Sequence, residues 1–177
     1  FRETDLHLLG YGIDWKAAAF ADLEKEVRQK IMEVFPEMVE NLRKQGITVD
    51  PAVVLNHAGG QLPSGELIAE VLLADPVHHD NPLLKPYLPG GARGDMPYIN
   101  FYRDYFAQGK PAYAPIRFMP FRQAVELIRD HGGIPIVAHP GANLAGREAV
   151  VENLLDAGAL GLEVFNNYHD ERQAAYF

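Results

Sequence analysis

Seven histidines and no cysteines bound the chemistry open to this 177-residue sequence. Without thiols there is no thiolate metal site, cysteine nucleophile or disulfide framework, so imidazoles and carboxylates are the available ligands and bases. His139 stands directly after the apolar run 134–138 (IPIVA) and before Pro140-Gly141. If that run is a strand of a parallel α/β sheet, its carboxyl end is where ligands gather. An imidazole there suits metal coordination or general-base work; the alternative is a turn histidine bonded to backbone. His7 lies in the β-prone stretch 6–13 (LHLLGYGI). Alternation puts His7 and Leu9 on one face and Leu6 and Leu8 on the other, so His7 is either a ligand or a core histidine satisfied by a carbonyl. His169 comes after a second apolar run, 160–165 (LGLEVF), through the polar loop Asn166-Asn167-Tyr168. It falls on the side of His139 if both strands run parallel, and from there could reach a ligand. Glu163 is a carboxylate inside that apolar run. Its burial requires an amide donor, an arginine or a metal. Arg93, in the glycine-flanked segment GGARGD, is either a phosphate clamp or a solvated surface group.

The remaining histidines have plainer readings. His78-His79-Asp80 looks like a metal clip, but adjacent residues of an extended loop diverge. His57 precedes Ala-Gly-Gly and reads as a turn residue. His131 ends a helix, where partial positive charge favours the dipole.

The elements that must hold these groups are set by periodicity. Residues 6–13 read as a strand ending near Tyr11, with Asp14 as the cap of the next segment. From Trp15 to about Gln45, Phe20, Leu23, Val27, Ile31, Phe35, Met38 and Leu42 recur at steps of three and four, which predicts a long helix or a helix pair broken at Pro36. Residues 65–74 read as a helix capped by Ser64, 75–95 as a Pro/Gly-rich loop that binds something or lies disordered, and 98–108 as a helix with an aromatic face. After Pro120 comes an αβαβα order: helix 121–131, strand 134–138, a helix from about Arg147 to Ala157, buried strand 160–165, and a helix from Asp170. Such an order is the mark of parallel strands covered by helices.

Composition narrows the function classes. Sixteen Lys+Arg against twenty-four Asp+Glu leave a formal charge of −8, which disfavours long nucleic acid and anionic membrane as partners. No apolar run approaches the roughly 18 residues of a membrane span. No signal-peptide pattern opens the sequence, and the expected location is the cytoplasm. The phosphate-loop, GxGxxG and GxSxG patterns are missing, which removes support for phosphate-loop nucleotide binding, dinucleotide oxidoreduction and the common serine-hydrolase scheme. Arg93-Gly94-Asp95 spells an adhesion tripeptide, a motif too short to carry weight.

Taken together, His7 to Asp14 (HLLGYGID), the long helix after it, 109–113 (GKPAY), 132–140 (GGIPIVAHP) and 161–165 (GLEVF) resemble the PHP (polymerase and histidinol phosphatase) family of metal-dependent phosphoesterases. The resemblance implies an α/β fold, part of a distorted (β/α)7 barrel (1–14 and 121–177), with an inserted, mostly helical subdomain at 15–120 that covers the site and holds substrate. It implies a divalent cluster of Zn, Mn or Fe, usually trinuclear, a metal-bound water attacking phosphorus, and a small phosphorylated substrate. The family's metal-ligand histidines fall on His7 and His139; Arg93, Glu163 and His169 are the candidates for substrate contact. The family's opening His-x-His and closing Asp-x-His motifs have no counterpart, so the chain is expected to be an internal piece of a longer phosphoesterase, inactive alone. The alternative is a non-catalytic binding or regulatory module on the same scaffold.

Overall fold

The structure, a computed structural model, describes residues 6–144, 146–147 and 149–177. Its elements are β1 (Leu8–Tyr11), α1 (Ala18–Lys44), α2 (Pro51–Ala58), α3 (Gly65–Ala74), α4 (Pro97–Tyr105), α5 (Phe121–Asp130), β2 (Ile134–Val137), α6 (Pro140–Asn143), α7 (Val150–Asp156), β3 (Gly161–Leu162) and α8 (Glu171–Tyr176), with 3-10 turns at Pro76–His78 and Lys85–Tyr87. This is a mixed α/β fold in which helices dominate a small sheet. The chain divides into two compact units, one formed by the described residues up to Glu24 together with Phe118–Phe177, the other by Lys25–Arg117. No helix among the described residues is long and apolar enough to cross a membrane.

The unit Lys25–Arg117 is helical and built on burial. Phe35, Met38, Val39 and Leu42 of α1 meet Val54, Ile68, Leu72, Leu84 and Phe101 in one apolar core. The Phe101 ring stacks on Tyr105 at 4.6 Å and meets Tyr87 edge-on at 5.1 Å. The break expected at Pro36 does not occur: α1 runs through it without interruption. A mid-helix proline costs about 3 kcal/mol, but Phe35, Met38, Val39 and Leu42 are all buried on one face, and each such side chain contributes roughly 1.5–3 kcal/mol. Packing outweighs the lost amide. Helix α3 forms as expected, its Leu67 amide donating to Ser64 Oγ at 3.2 Å. Helix α2 was not expected, and it places His57 in its last turn against Glu70 at 3.2 Å rather than in a turn.

The stretch 75–95 is folded into successive tight turns. Arg93 donates from Nε and a terminal nitrogen to Asp104 at 3.0 and 2.9 Å, and Tyr87 Oη donates to the same carboxylate at 2.8 Å. Asp95 accepts from Asn100 Nδ2 at 2.8 Å. Both charged members of the Arg93-Gly94-Asp95 tripeptide are thus engaged within the unit. His79 bonds the Leu73 carbonyl at 3.0 Å. Burial and the Asp104 carboxylate push the Tyr87 phenol well above its ordinary range.

In the other unit the sheet order is β1-β2-β3. β2 and β3 are parallel, with Val137 opposite Leu162, as the αβαβα order predicts. β1 joins antiparallel, Leu8 opposite Val137 and Tyr11 opposite Ile134. Leu6 and Leu8 pack with Val137, Leu144, Val151 and Leu154, the face alternation assigned them. The run 160–165 departs from expectation. Only Gly161–Leu162 is strand, with Leu160 60% and Phe165 89% exposed. Among the described residues β3 has a neighbouring strand on one side only, so its flanks have no second strand to bury them. Amides of Leu160 and Glu163 nonetheless donate to Pro135 and Val137 carbonyls, both at 2.8 Å, which fixes the register. The helix expected from Arg147 begins at Val150; Glu148 and Ala145 lie outside the described residues.

Candidate metal centre

Strand direction explains which residues meet. His139 lies just past the carboxyl end of β2, and Glu163 just past the carboxyl end of the parallel β3, so both fall at one edge of the sheet. Because β1 is antiparallel, its amino end lies at that same edge, and the Ala138 amide donates to the His7 carbonyl at 3.0 Å. His7 thus enters from the start of its strand, His139 from the end of the next. Their ring nitrogens, His7 Nδ1 and His139 Nε2, are 3.1 Å apart, the rings nearly perpendicular at 81°. The tilted Tyr168 ring lies 4.9 Å from the His139 ring.

His139 is held in a costly conformation. Its φ of 29° and ψ of 60° make it the one non-glycine residue with positive φ among the described residues. For an L-residue this costs roughly 1–2 kcal/mol and is the kind of outlier that collects at functional sites. Strand alternation would send residue 139 to the Val137 side; the left-handed turn ends that alternation. A carboxylate helps to hold it: the His139 amide donates to Glu163 Oε2 at 3.0 Å, a charge-assisted bond of about 1.5–3 kcal/mol that offsets the strain. Two residues on, the Gly141 amide donates to His169 Nε2 at 2.9 Å, while His169 Nδ1 donates to the Val164 carbonyl at 2.7 Å. That pair of bonds sets the His169 tautomer with its proton on Nδ1. Asn166 Nδ2 donates to the Glu163 carbonyl at 2.9 Å. His169 also borders an open depression of about 340 Å³ beside Val164, Phe165 and Asp170.

Four of the five residues singled out in sequence therefore come together: His7 and His139 ring to ring, Glu163 and His169 on the backbone of the turn that carries His139. Arg93 belongs to the other unit, paired with Asp104. Sequence reasoning missed Tyr168 and Gly141. The Asn-Asn-Tyr-His loop was a signal for the first; the second shows only in three dimensions, where a Cβ on Gly141 would meet His169 Cδ2 at 2.7 Å.

Two imidazole nitrogens on one tetrahedral cation, each at about 2.0–2.1 Å, stand roughly 3.3 Å apart. His7 Nδ1 and His139 Nε2 share an N–H···N hydrogen bond at 3.1 Å, and that separation lies close to the ligand spacing. Among the described residues His139 Nδ1 is buried without a hydrogen-bond partner, so no backbone bond of theirs accounts for the ring. The pair suits two positions of a divalent shell. Among the described residues, no three His, Asp or Glu side chains converge to complete one.

No protein-family profile matches the chain. Over 167 residues, 93% of this chain and 53% of the relative, it is 29% identical to the 3',5'-nucleoside bisphosphate phosphatase of Chromobacterium violaceum. Among solved structures, an amidohydrolase from Chromobacterium violaceum, with bound sulfate and no metal, superposes with a TM-score of 0.70 at 25% identity, over 99% of this chain and 57% of that one. A Bifidobacterium adolescentis protein, provisionally named a metal-dependent phosphoesterase, superposes with a TM-score of 0.64 at 19% identity, over 97% of this chain and 56% of that one. The chain spans about half the length of the curated relative it matches. Its fold is theirs over nearly its whole length.

Proposed function

We propose that the chain is part of a PHP-type metal-dependent phosphoesterase that hydrolyses small phosphate esters, with nucleoside bisphosphates, short oligonucleotides and other phosphomonoesters as the candidate substrates. The observation that carries this reading is the His7–His139 ring pair, 3.1 Å apart at one sheet edge, in a chain similar to a bisphosphate phosphatase over 93% of its length. His7 and His139 would hold a divalent cation, Zn, Mn or Fe, through neutral ring nitrogens. Such cations, when bound, neutralise charge developing on phosphoryl oxygens and lower the pKa of the attacking water. His139 is presented for this by a rigid strand end, and Tyr168 shields one flank of its ring. On the same resemblance, residues 15–120 would form the substrate-holding insertion. Two imidazoles supply too few donors for a multinuclear centre, so the activity belongs to the whole protein, and the 177-residue chain alone would bind metal weakly and turn over nothing.

The test is phosphate release by the whole protein from 3',5'-nucleoside bisphosphates, dinucleotides and amino-alcohol phosphates, with Mn, Zn or Fe added after chelator treatment. Metal-dependent turnover that disappears in His139→Ala supports the proposal. A metal-loaded protein that binds these esters and hydrolyses none would instead be the binding module. Full activity in the 177-residue chain would refute the donor argument.

A further inference from the structure

The turn His139-Pro140-Gly141 owns only two amide protons, because proline has none. Both go to side chains from one segment. His139 N–H donates to Glu163 Oε2 at 3.0 Å, and Gly141 N–H donates to His169 Nε2 at 2.9 Å. The acceptors are themselves fixed. Glu163 is in register through its own amide on the Val137 carbonyl. His169 is oriented by its Nδ1–H on Val164 O and sits beside Asp170, whose side chain forms a reciprocal capping box with Gln173 at the start of α8. Gly141 leaves no room for slack, since a Cβ there would come within 2.7 Å of His169 and 2.8 Å of Gln173.

We propose that Glu163 and His169 are positioning residues: they clamp both amides of the 139–141 turn, hold its left-handed conformation, and so aim the His139 ring at His7 without contacting substrate themselves. The catalytic part of this inference rests on the reading of His7 and His139 as metal ligands. A carboxylate on an amide and an imidazole of fixed tautomer are the outer partners that orient a ligating group. Here they act through the ligand's backbone rather than through its ring.

The experiment uses the whole protein labelled with [15N]histidine and [15N]glycine, comparing Glu163→Ala, Glu163→Gln, His169→Ala and His169→Gln. Three quantities are read: the amide proton shifts of His139 and Gly141 without metal, the Co(II) dissociation constant, and kcat and KM separately. The clamp predicts that Glu163→Ala moves the His139 amide upfield, weakens Co(II) binding about 10–100-fold, and lowers kcat with KM unchanged. Glu163→Gln, which keeps an acceptor oxygen, restores all three. His169→Ala does the same at the Gly141 amide, and His169→Gln partly restores it. If Glu163→Gln is as damaging as Glu163→Ala, or if KM rises while kcat holds, Glu163 is a ligand or substrate contact and the inference is overturned. Should wild type bind no Co(II) and hydrolyse nothing, the metal reading fails, yet the amide shifts still decide the clamp: movement in Glu163→Ala but not Glu163→Gln sustains it, and no movement refutes it. Should Glu163→Ala not fold, the amide shift in Glu163→Gln and the His169 pair decide alone.

Discussion

The two units handle backbone strain in opposite ways. In Lys25–Arg117 every described residue with positive φ is a glycine, at 46, 59, 60, 90 and 109. There the left-handed conformation is used where it costs least, to end helices and turn loops. In the other unit a histidine occupies that region at 139, and two side chains bond the amides around it. The first unit draws its order from burial, with Phe101, Ile68, Leu72 and Leu84 fully enclosed. The second concentrates strain at one turn, beside a buried ring nitrogen with no partner among the described residues. Backbone strain collects at functional sites, and both strain and a buried polar atom without a partner are what a packing core avoids.

That contrast can be broken most decisively at His139. Replacing it with Ala should remove phosphate release by more than the roughly 10–100-fold attributed to outer-sphere partners, while the thermal midpoint stays near wild type. His139→Gly is sharper. It removes the ring and relieves the left-handed strain, so it should be inactive yet more stable by about 1 kcal/mol in denaturant titration. Equal or lower stability would mean that the turn stores no strain that glycine relieves.

The opposite pattern is expected at Phe101. Truncation to Ala should cost about 3–5 kcal/mol, or roughly 6–20 °C in thermal midpoint at about 2–4 °C per kcal/mol, with activity per folded molecule retained. Loss of activity without loss of stability would erase the distinction between the units. Pro36→Ala tests the same packing argument in the other direction. Because α1 already bears the proline penalty and remains continuous, restoring the amide should stabilise by about 1–2 kcal/mol, less than the full penalty of about 3 kcal/mol because proline also restricts the unfolded chain.

Local signals were legible in the sequence where they were sufficient. Ser64 before 65–74, Asp170 before α8 and the apolar run at β2 each specify their element through neighbours a few residues away. His7 and Glu163 stood out as polar groups inside apolar runs, and His139 and His169 as histidines that follow such runs; Arg93, singled out with them, lies in the other unit. Features that could not be read depend on distant partners. The antiparallel entry of β1 is decided by pairing with residues more than a hundred positions on, and it alone brings His7 to His139. The left-handed turn at His139 relies on Glu163, 24 positions later. Pro36 misled because its local cost is plain in the sequence, whereas the burial of Phe35 and Leu42 that offsets it is tertiary. Helix α2 was readable and missed: Asp50 caps it, Pro51 opens it and Gly59 closes it in a left-handed conformation.

The smallest expected effect concerns the pH range over which the packed unit keeps its order. Burial, then the hydrogen bond and charge of Asp104, raise the Tyr87 phenol; burial and Asp104 raise Tyr105 in the same direction. A raised folded-state value means that folding favours the neutral phenol. Its contribution is complete below the unfolded tyrosine value near 10 and is lost as pH climbs above it. Tyr87→Phe removes the donor to Asp104 at a cost of about 1 kcal/mol at neutral pH, and it also removes one of the two groups whose ionisation opposes folding. Stability curves for wild type and Tyr87→Phe, measured by urea titration from about pH 7 to 11, should therefore converge above the tyrosine value near 10, with a residual decline in the variant from Tyr105. Parallel curves would show that folding does not favour the neutral Tyr87 phenol.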